Sequence, residues 1–275
     1  MKKKIIFILG SGRCGTLAFY QALLKVKKVE AYHEFFFEPT LKAATLYHMK
    51  KKTKEHIKKF IEENHLFSIK NSKKKIWIDS SNALPWIADV LVDMFPNAKF
   101  IHLIRNGKKV VSSFFYKHGD IMYNDYHVKK LLSFLKNKTK IISSEKKYWR
   151  PLPIHNELEL NKFIKNGQFY RICKYWAEIN EKISESLKNA KFKKTFKLED
   201  ITNKKKLLEF SNFIGLDRKD YLNFKSSFSK PTNVTMPKNF YFTKHQKKIF
   251  EQTCSEQMLK FNYKNNEAKE YKTIY

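Results

Sequence analysis

Ile5-Ile6-Phe7-Ile8-Leu9-Gly10-Ser11-Gly12-Arg13-Cys14-Gly15-Thr16 is an apolar run that passes directly into a glycine loop. Downstream, Leu17, Phe19, Leu23, Leu24 and Val26 recur at helical spacing, which predicts a helix over 14–26. A strand, a glycine turn and a helix start in that order aim backbone N–H groups and the positive end of a helix dipole at one point. The stretch therefore reads as an anion cradle. Its frame is Gly10-x-x-x-x-Gly15-Thr16, the glycine spacing of a nucleotide-binding P-loop without the lysine that normally precedes the threonine. That lysine bridges terminal phosphates, so its absence argues against an ordinary ATPase or GTPase. Arg13 stands inside the loop instead and offers a planar fork to a phosphate or sulfate.

The remaining pattern alternates strands and helices. Strands are predicted at 5–9, 29–32, 75–79, 99–104 and 194–198. Helices are predicted at 39–49, 53–65, 84–94, 106–115, 126–138 and 168–187. The proline-bearing stretches 148–159 and 226–239 read as loops. Apolar strands alternating with helices imply an α/β fold, a parallel sheet covered by helices on both faces. There is no internal repeat and no low-complexity linker, so the whole chain, 1–275, is expected to form a single domain.

Composition narrows the partners. Lys and Arg number 56 against 26 Asp and Glu, a formal charge of +30. The lysines fall in short runs on many elements (50–52, 73–75, 204–206), the pattern of a solvated surface. An excess of this size also suits acidic glycans, anionic surfaces or a highly charged nucleotide. No recognised nucleic-acid motif accompanies it, so no nucleic-acid partner is expected. Cys14, Cys173 and Cys254 form no C-x-x-C pair, which fits a reducing compartment without a zinc or disulfide framework. The lysine-led start carries five apolar residues before Gly10, short of the ~7–15 of a secretory h-region. No run reaches the ~20 apolar residues of a membrane span. The expected location is the cytoplasm, with peripheral contact to anionic surfaces left open. Oligomeric state is not legible.

In an open α/β sheet, ligands bind outside the carboxyl ends of the strands. Four segments are predicted to meet there: the loop 10–16, His33-Glu34, Asp79-Ser80-Ser81-Asn82 and Arg105-Asn106-Gly107. Arg105 ends a strand and Ser113 lies eight residues on, two helical turns away, so both side chains can reach one phosphate. For Ser80 and Ser81 two readings stand side by side, a contact to a leaving phosphate and a helix cap.

With those residues in place the sequence resembles the sulfotransferases that use 3′-phosphoadenosine 5′-phosphosulfate (PAPS). The likeness is to bacterial members, with some similarity to tyrosylprotein and carbohydrate sulfotransferases. Gly12-Arg13-Cys14-Gly15-Thr16 resembles the family's phosphosulfate loop. Phe100 to Ser113 resembles its 3′-phosphate motif, including the Arg-to-Ser spacing. Lys197-Leu198-Glu199-Asp200 and Lys230-Pro231-Thr232-Asn233-Val234 resemble two later segments. The resemblance implies a sulfotransferase fold and transfer of a sulfuryl group from PAPS to a hydroxyl or amine of a carbohydrate, lipid or small metabolite. It places Gly12, Arg13, Cys14, Gly15, Thr16, Leu17, Arg105 and Ser113 at the nucleotide and requires no metal. Cys14 departs from the usual serine; a thiol at a helix N-terminus can have a lowered pKa and act as a redox switch, or can be a small weakly polar substitute.

Arg13 is the expected charge stabiliser. For the general base the resemblance to tyrosylprotein sulfotransferases, whose catalytic Glu lies at a similar spacing from the loop arginine, implies Glu34, and burial readily raises a carboxyl; His33 is the alternative. The acceptor pocket is expected from 35–65 and 118–167, where Phe35, Phe36, Phe37, Tyr116, Tyr123 and Tyr126 are candidates. Trp149, in a proline-rich loop beside Arg150, could stack on adenine or a sugar. Two other functions remain: a small-molecule kinase on the same topology, and a non-catalytic polyanion or nucleic-acid binder driven by charge.

Overall fold

Alternation along each strand decides which residues go to which face of the sheet. The computed structural model describes residues 3–137, 143–201, 203–228 and 241–263. Its elements begin with β1 (Lys4–Leu9), α1 (Thr16–Leu23), β2 (Val29–His33), α2 (Phe37–His48), α3 (Lys54–Ile61), α4 (Phe67–Asn71), β3 (Ile76–Ser81) and α5 (Ala88–Met94). They continue with β4 (Lys99–Ile104), α6 (Gly107–Lys117), α7 (Asp125–Leu135), α8 (Glu157–Lys165), α9 (Gly167–Ser186), β5 (Phe192–Lys197), α10 (Leu198–Ile201), α11 (Lys204–Ile214), α12 (Arg218–Phe228) and α13 (Lys244–Lys260).

The five strands lie in the order β2-β3-β1-β4-β5, and every pairing is parallel. Ile6, Ile8, Ile76, Ile78, Ile101 and Leu103 pack with residues of α1, α11 and α12 on one face. Phe7, Leu9, Trp77, Phe100 and Ile104 pack with α2, α5, α6, α9 and α13 on the other. Both sets have period two, so one continuous apolar strand feeds two cores. Each fully buried aliphatic or phenyl side chain contributes about 1.5–3 kcal/mol. The α/β architecture expected from the alternating pattern is thus the observed one.

Strand order fixes where a ligand belongs. From β1 the chain moves to β2 and β3 on one side, then returns to β4 on the other side of β1. The crevice beyond the carboxyl ends of β1 and β4 is a topological switch point. Leu9 and Ile104 end those two strands, so the loop after β1 and Arg105 after β4 face each other.

Several boundaries differ from expectation. Helix α1 starts at Thr16, two residues late, because Gly15 sits at φ +94° and caps it. β3 runs on through Ser81, so Ser80 and Ser81 are buried strand residues. The helix expected over 53–65 runs as α3, then a π turn at Glu62–Leu66, then α4, because Leu66 and Ile69 continue its apolar face. Pro85 makes the start of the 84–94 helix a 3-10 turn. The fifth strand begins at Phe192 and is exposed along most of its length. The 148–159 loop gives way to α8 at Glu157, capped by Asn156. Helices α8, α10, α11, α12 and α13 were not anticipated; at α11 the run Lys204-Lys205-Lys206 reads as solvated surface. The segment Lys230–Val234 lies outside the described residues. Among the described residues no helix is long and apolar enough to cross a membrane.

One buried histidine offers a test of this packing. His102, on β4, lies within 2.9 Å of Asn180 Oδ1 through Nε2. The Asn180 amide nitrogen donates to the Trp176 carbonyl, which leaves Oδ1 to accept, so His102 Nε2 carries the proton. Burial pushes its pKa down to about 4, partly opposed by the Asn180 bond. Between pH 6.5 and 4 the unfolded chain takes up a proton there and the folded chain does not, so stability is lost as pH falls. Denaturant melts over that window should show a shallower slope for His102→Gln than for the parent; an unchanged slope would contradict a neutral, buried imidazole.

Candidate active site

The loop between β1 and α1 is shaped by residues that occupy left-handed backbone. Gly12, Arg13 and Gly15 have φ of +76°, +56° and +94°. At Gly12 a Cβ would stand 2.9 Å from the Asn82 amide nitrogen, and at Gly15 it would stand 2.6 Å from Leu198 Cδ1. Both positions disfavour a side chain on conformation, and any side chain there would have to displace Asn82 or Leu198. Arg13 has no such excuse, and its left-handed φ is local strain held by its surroundings. The first turn of α1 has no side-chain cap and no acidic residue. A helix N-terminus without an acidic cap is the arrangement that binds anions.

Two guanidinium groups meet at this loop. Arg105 Nη1 donates to the Arg13 carbonyl at 2.9 Å, tying the end of β4 to the loop. Arg13 Nε donates to Ser113 Oγ at 2.7 Å. Among the described residues neither arginine has a carboxylate partner. Burial, and then the charge of Arg105, lower the pKa of Arg13. Like charges held together at a half-buried position create a strong positive potential. The start of α6 behind them is fixed from β5: Glu199, just after that strand, accepts from the Asn106 backbone N–H at 3.1 Å and from the Tyr263 hydroxyl at 2.9 Å. Tyr175 of α9 donates its hydroxyl to the Ser11 carbonyl at 2.8 Å and braces the loop from the other side.

Glu34 follows β2, at φ +61°. Its backbone N–H donates to the Ser80 carbonyl, and the next N–H, of Phe35, donates to Asp79 Oδ1 at 3.1 Å. Asp79 is fully buried, with the ring of His65 3.8 Å from its other oxygen. That ring also packs edge-on against Phe35, so the turn carrying Glu34 is clamped. The Asn82 amide then donates to Glu34 Oε1 at 2.7 Å. Since Asn82 also lies against Gly12, one side chain spans from the loop to the carboxyl. Burial raises Glu34 to about 7; Arg150 and Lys146 pull it back, and Asp79 adds to the rise. His33 is turned the other way, its Nε2 3.2 Å from the Thr16 hydroxyl, and burial lowers its pKa.

The structure therefore brings Gly12, Arg13, Gly15, Thr16, His33, Glu34, Arg105 and Ser113 to one end of the sheet, with Leu17 in the first turn of α1. Ser81 acts as a cap, accepting from the N–H groups of Ala83 and Leu84. Ser80 donates to the Thr16 and Tyr32 carbonyls, so it is taken up by the scaffold. The lowered-pKa reading of Cys14 is overturned: its thiol is buried in the core beneath the loop, and burial pushes it up to about 11. Trp149 is likewise core, wholly buried with its indole N–H on the Ser143 carbonyl, so it stacks on no ligand. Tyr123 is also buried, whereas Phe36, Tyr116 and Tyr126 are exposed. Sequence reasoning passed over Asn82 as an individual residue, and over Tyr175 and Arg150. The first was visible only as a cap signal and the second only as a helix-face aromatic. A separate cleft of about 1040 Å³, lined by His48, Trp86, His155 and Glu178 among others, contains none of the loop residues.

A model of the "Sulfotransferase family" matches residues 6–153. The structure is similar to the crystal structure of a sulfotransferase from Alicyclobacillus acidocaldarius, with 11% identity, 96% of this chain and 98% of that chain covered, and a TM-score of 0.48. It is also similar to mouse sulfotransferase SULT7A1 complexed with PAP, with 14% identity, 94% and 86% covered, and a TM-score of 0.42. A search of curated proteins finds no match. The family match spans more than half of the chain and takes in the loop, Glu34, Arg105 and Ser113, and on that ground this protein belongs to the sulfotransferase family.

Proposed function

We propose that the chain acts as a single catalytic unit, in the cytoplasm, and transfers a sulfuryl group from PAPS to a hydroxyl or amine of a carbohydrate, lipid or small-metabolite acceptor. The observation that carries this reading is the placement of the Glu34 carboxyl, one side chain away from an anion loop that holds two unpaired guanidiniums. When bound, PAPS supplies the sulfuryl group and departs as adenosine 3′,5′-bisphosphate. The chain fits such a ligand: the first turn of α1 carries no acidic residue, and among the described residues Arg13 and Arg105 have no carboxylate partner.

In this mechanism the N–H groups of residues 12–16 and the Arg13 fork hold the phosphosulfate end and neutralise charge that builds on the leaving phosphate. Arg105 and Ser113 hold the 3′-phosphate, with Arg105 also fixing the Arg13 backbone. Glu34 takes the proton from the acceptor, and its pKa near 7 suits a base that must be ionised yet basic at neutral pH. His33 orients the Thr16 hydroxyl and is not the base. Proximity supplies the rest, because donor and acceptor are held on one rigid sheet edge.

The donor assignment is checked by thermal shift with adenosine 3′,5′-bisphosphate beside ATP. At 100 times its dissociation constant the bisphosphate should add about 2.7 kcal/mol to stability. An equal response to ATP would remove the 3′-phosphate site. Arg105→Ala should weaken that binding by about 1.5–3 kcal/mol, the scale of a hydrogen bond to a charged group.

Arg13→Ala should lower turnover by about 10²–10³, as when a preorganised charge-stabilising donor is lost. For Glu34 the expected signature is a pH limb: kcat/KM rises with pH through about 7 and the rise disappears in Glu34→Gln. Stability gives an independent readout. A carboxyl whose folded pKa is raised contributes stability below its unfolded pKa and loses it as pH passes about 7. Glu34→Gln should therefore gain on the parent protein at pH 8 relative to pH 5. A variant that tracks the parent at both pH values would show an ordinary surface carboxyl.

A further inference from the structure

Arg150 is a cation in the wrong place for a surface residue. Only 6% of it is exposed, and its Nε has no partner. Among the described residues it makes no hydrogen bond and no ion pair. Its neighbours hold it firmly. Trp149 before it is wholly buried. After it, the Pro151 carbonyl accepts the Tyr123 hydroxyl at 2.5 Å, and the Tyr123 ring meets that of Tyr175 at 5.6 Å. Tyr175 in turn holds the Ser11 carbonyl of the anion loop. Two tyrosines thus set Arg150 at a fixed station relative to the loop.

The guanidinium acts electrostatically on three groups, Glu34, Tyr123 and Tyr175. The tyrosines are neutral. Glu34 is not its counter-ion: it stands beyond ion-pair distance, and its own hydrogen bond goes to Asn82. The Arg13–Arg105 pair belongs to the loop, and Arg150 bonds to neither. Burying an arginine is a desolvation cost that no ion pair or hydrogen bond among the described residues offsets. Lys146 adds a second positive charge facing Glu34. A planar fork in a dry setting is matched by a carboxylate or a phosphate ester, which it can grip with two parallel hydrogen bonds.

We propose that Arg150 anchors an anionic group of the acceptor, a carboxylate or phosphate ester, and so sets the acceptor's nucleophilic hydroxyl or amine at Glu34. The proposal rests on the reading of Glu34 as base beside the donor loop. It narrows the acceptor from any alcohol or amine to one that already bears a negative charge.

The test uses the full chain saturated with adenosine 3′,5′-bisphosphate, so that the donor loop is filled. Three probes are titrated calorimetrically: 4-hydroxybenzyl alcohol, 4-hydroxybenzoate and 4-hydroxyphenyl phosphate. At least one anion should bind on the order of tenfold tighter than the neutral alcohol, the gain expected of a charge-assisted pair. Whichever of the two anions binds tighter identifies the group. In Arg150→Met that preference should vanish with bisphosphate affinity unchanged, and the ligand-free Tm should be no lower than the parent's, since an unpaired buried charge has been removed. Arg150→Lys should keep the fold and lose part of the preference, having charge without the fork. Equal binding of all three probes would overturn the proposal, as would anion binding retained in Arg150→Met, or a lowered Tm in both variants with anion affinity unmoved. If the bisphosphate itself fails to bind, the donor reading falls separately, and the same titrations on the free protein still decide the role of Arg150.

Discussion

Positive charge held without an internal partner is the constraint around which this end of the molecule is built. Arg13 and Arg105 lie together at the switch point with no carboxylate among the described residues, and they repel each other. Something must keep them there. The bond from Arg105 to the Arg13 carbonyl does part of it, and the Tyr175 hydroxyl on Ser11 does another part. Glu199, just after β5, accepts from the Asn106 backbone and from Tyr263 and so fixes the start of α6 behind the pair. The positive field of the two guanidiniums is left for a ligand.

Backbone strain follows the same logic. Arg13 and Glu34 are both non-glycine residues in left-handed conformation, and they are the residues assigned charge stabilisation and proton removal. A residue in that region costs on the order of 1 kcal/mol or more and survives only where its surroundings over-determine it. At Glu34 the surroundings are visible: Ser80 and Asp79 take successive N–H groups, His65 packs on Phe35, and Asn82 takes the carboxyl. The turn aims the carboxyl at the loop rather than continuing β2 along the sheet edge. Asn82 then couples the two strained turns, since it touches Glu34 at one end and Gly12 at the other.

Much of this was legible from residues alone. Apolar period and glycine placement gave the strands, the loop and the parallel sheet, and strand ends gave the convergence of 10–16, 33–34, 79–82 and 105–107. Less legible was what each side chain does on arrival. Ser113 and Arg105 stand out in the sequence as a pair for one phosphate; the structure also joins each of them to Arg13. Cys14 offers two readings, a helix-terminal thiol with a lowered pKa and a small weakly polar stand-in for serine; it lies buried beneath the loop, where desolvation pushes its pKa up to about 11 and removes the first. Burial of that kind depends on tertiary contacts far along the chain, such as Leu198 packing against the same core. The helices after residue 200 escaped for a related reason. Lysine is a good helix former, and Leu207, Phe210 and Ile214 supply an apolar face at helical spacing beneath the charge.

β5 closes the sheet on one side, and it is the least buried of the strands. Its sequence, Phe192-Lys193-Lys194-Thr195-Phe196-Lys197, puts three ammonium groups along an edge whose outer N–H and C=O groups have no strand to pair with. A second copy approaching to extend the sheet would have to bring its own lysines against these. Part of the chain's large positive charge thus opposes β-sheet growth through this edge.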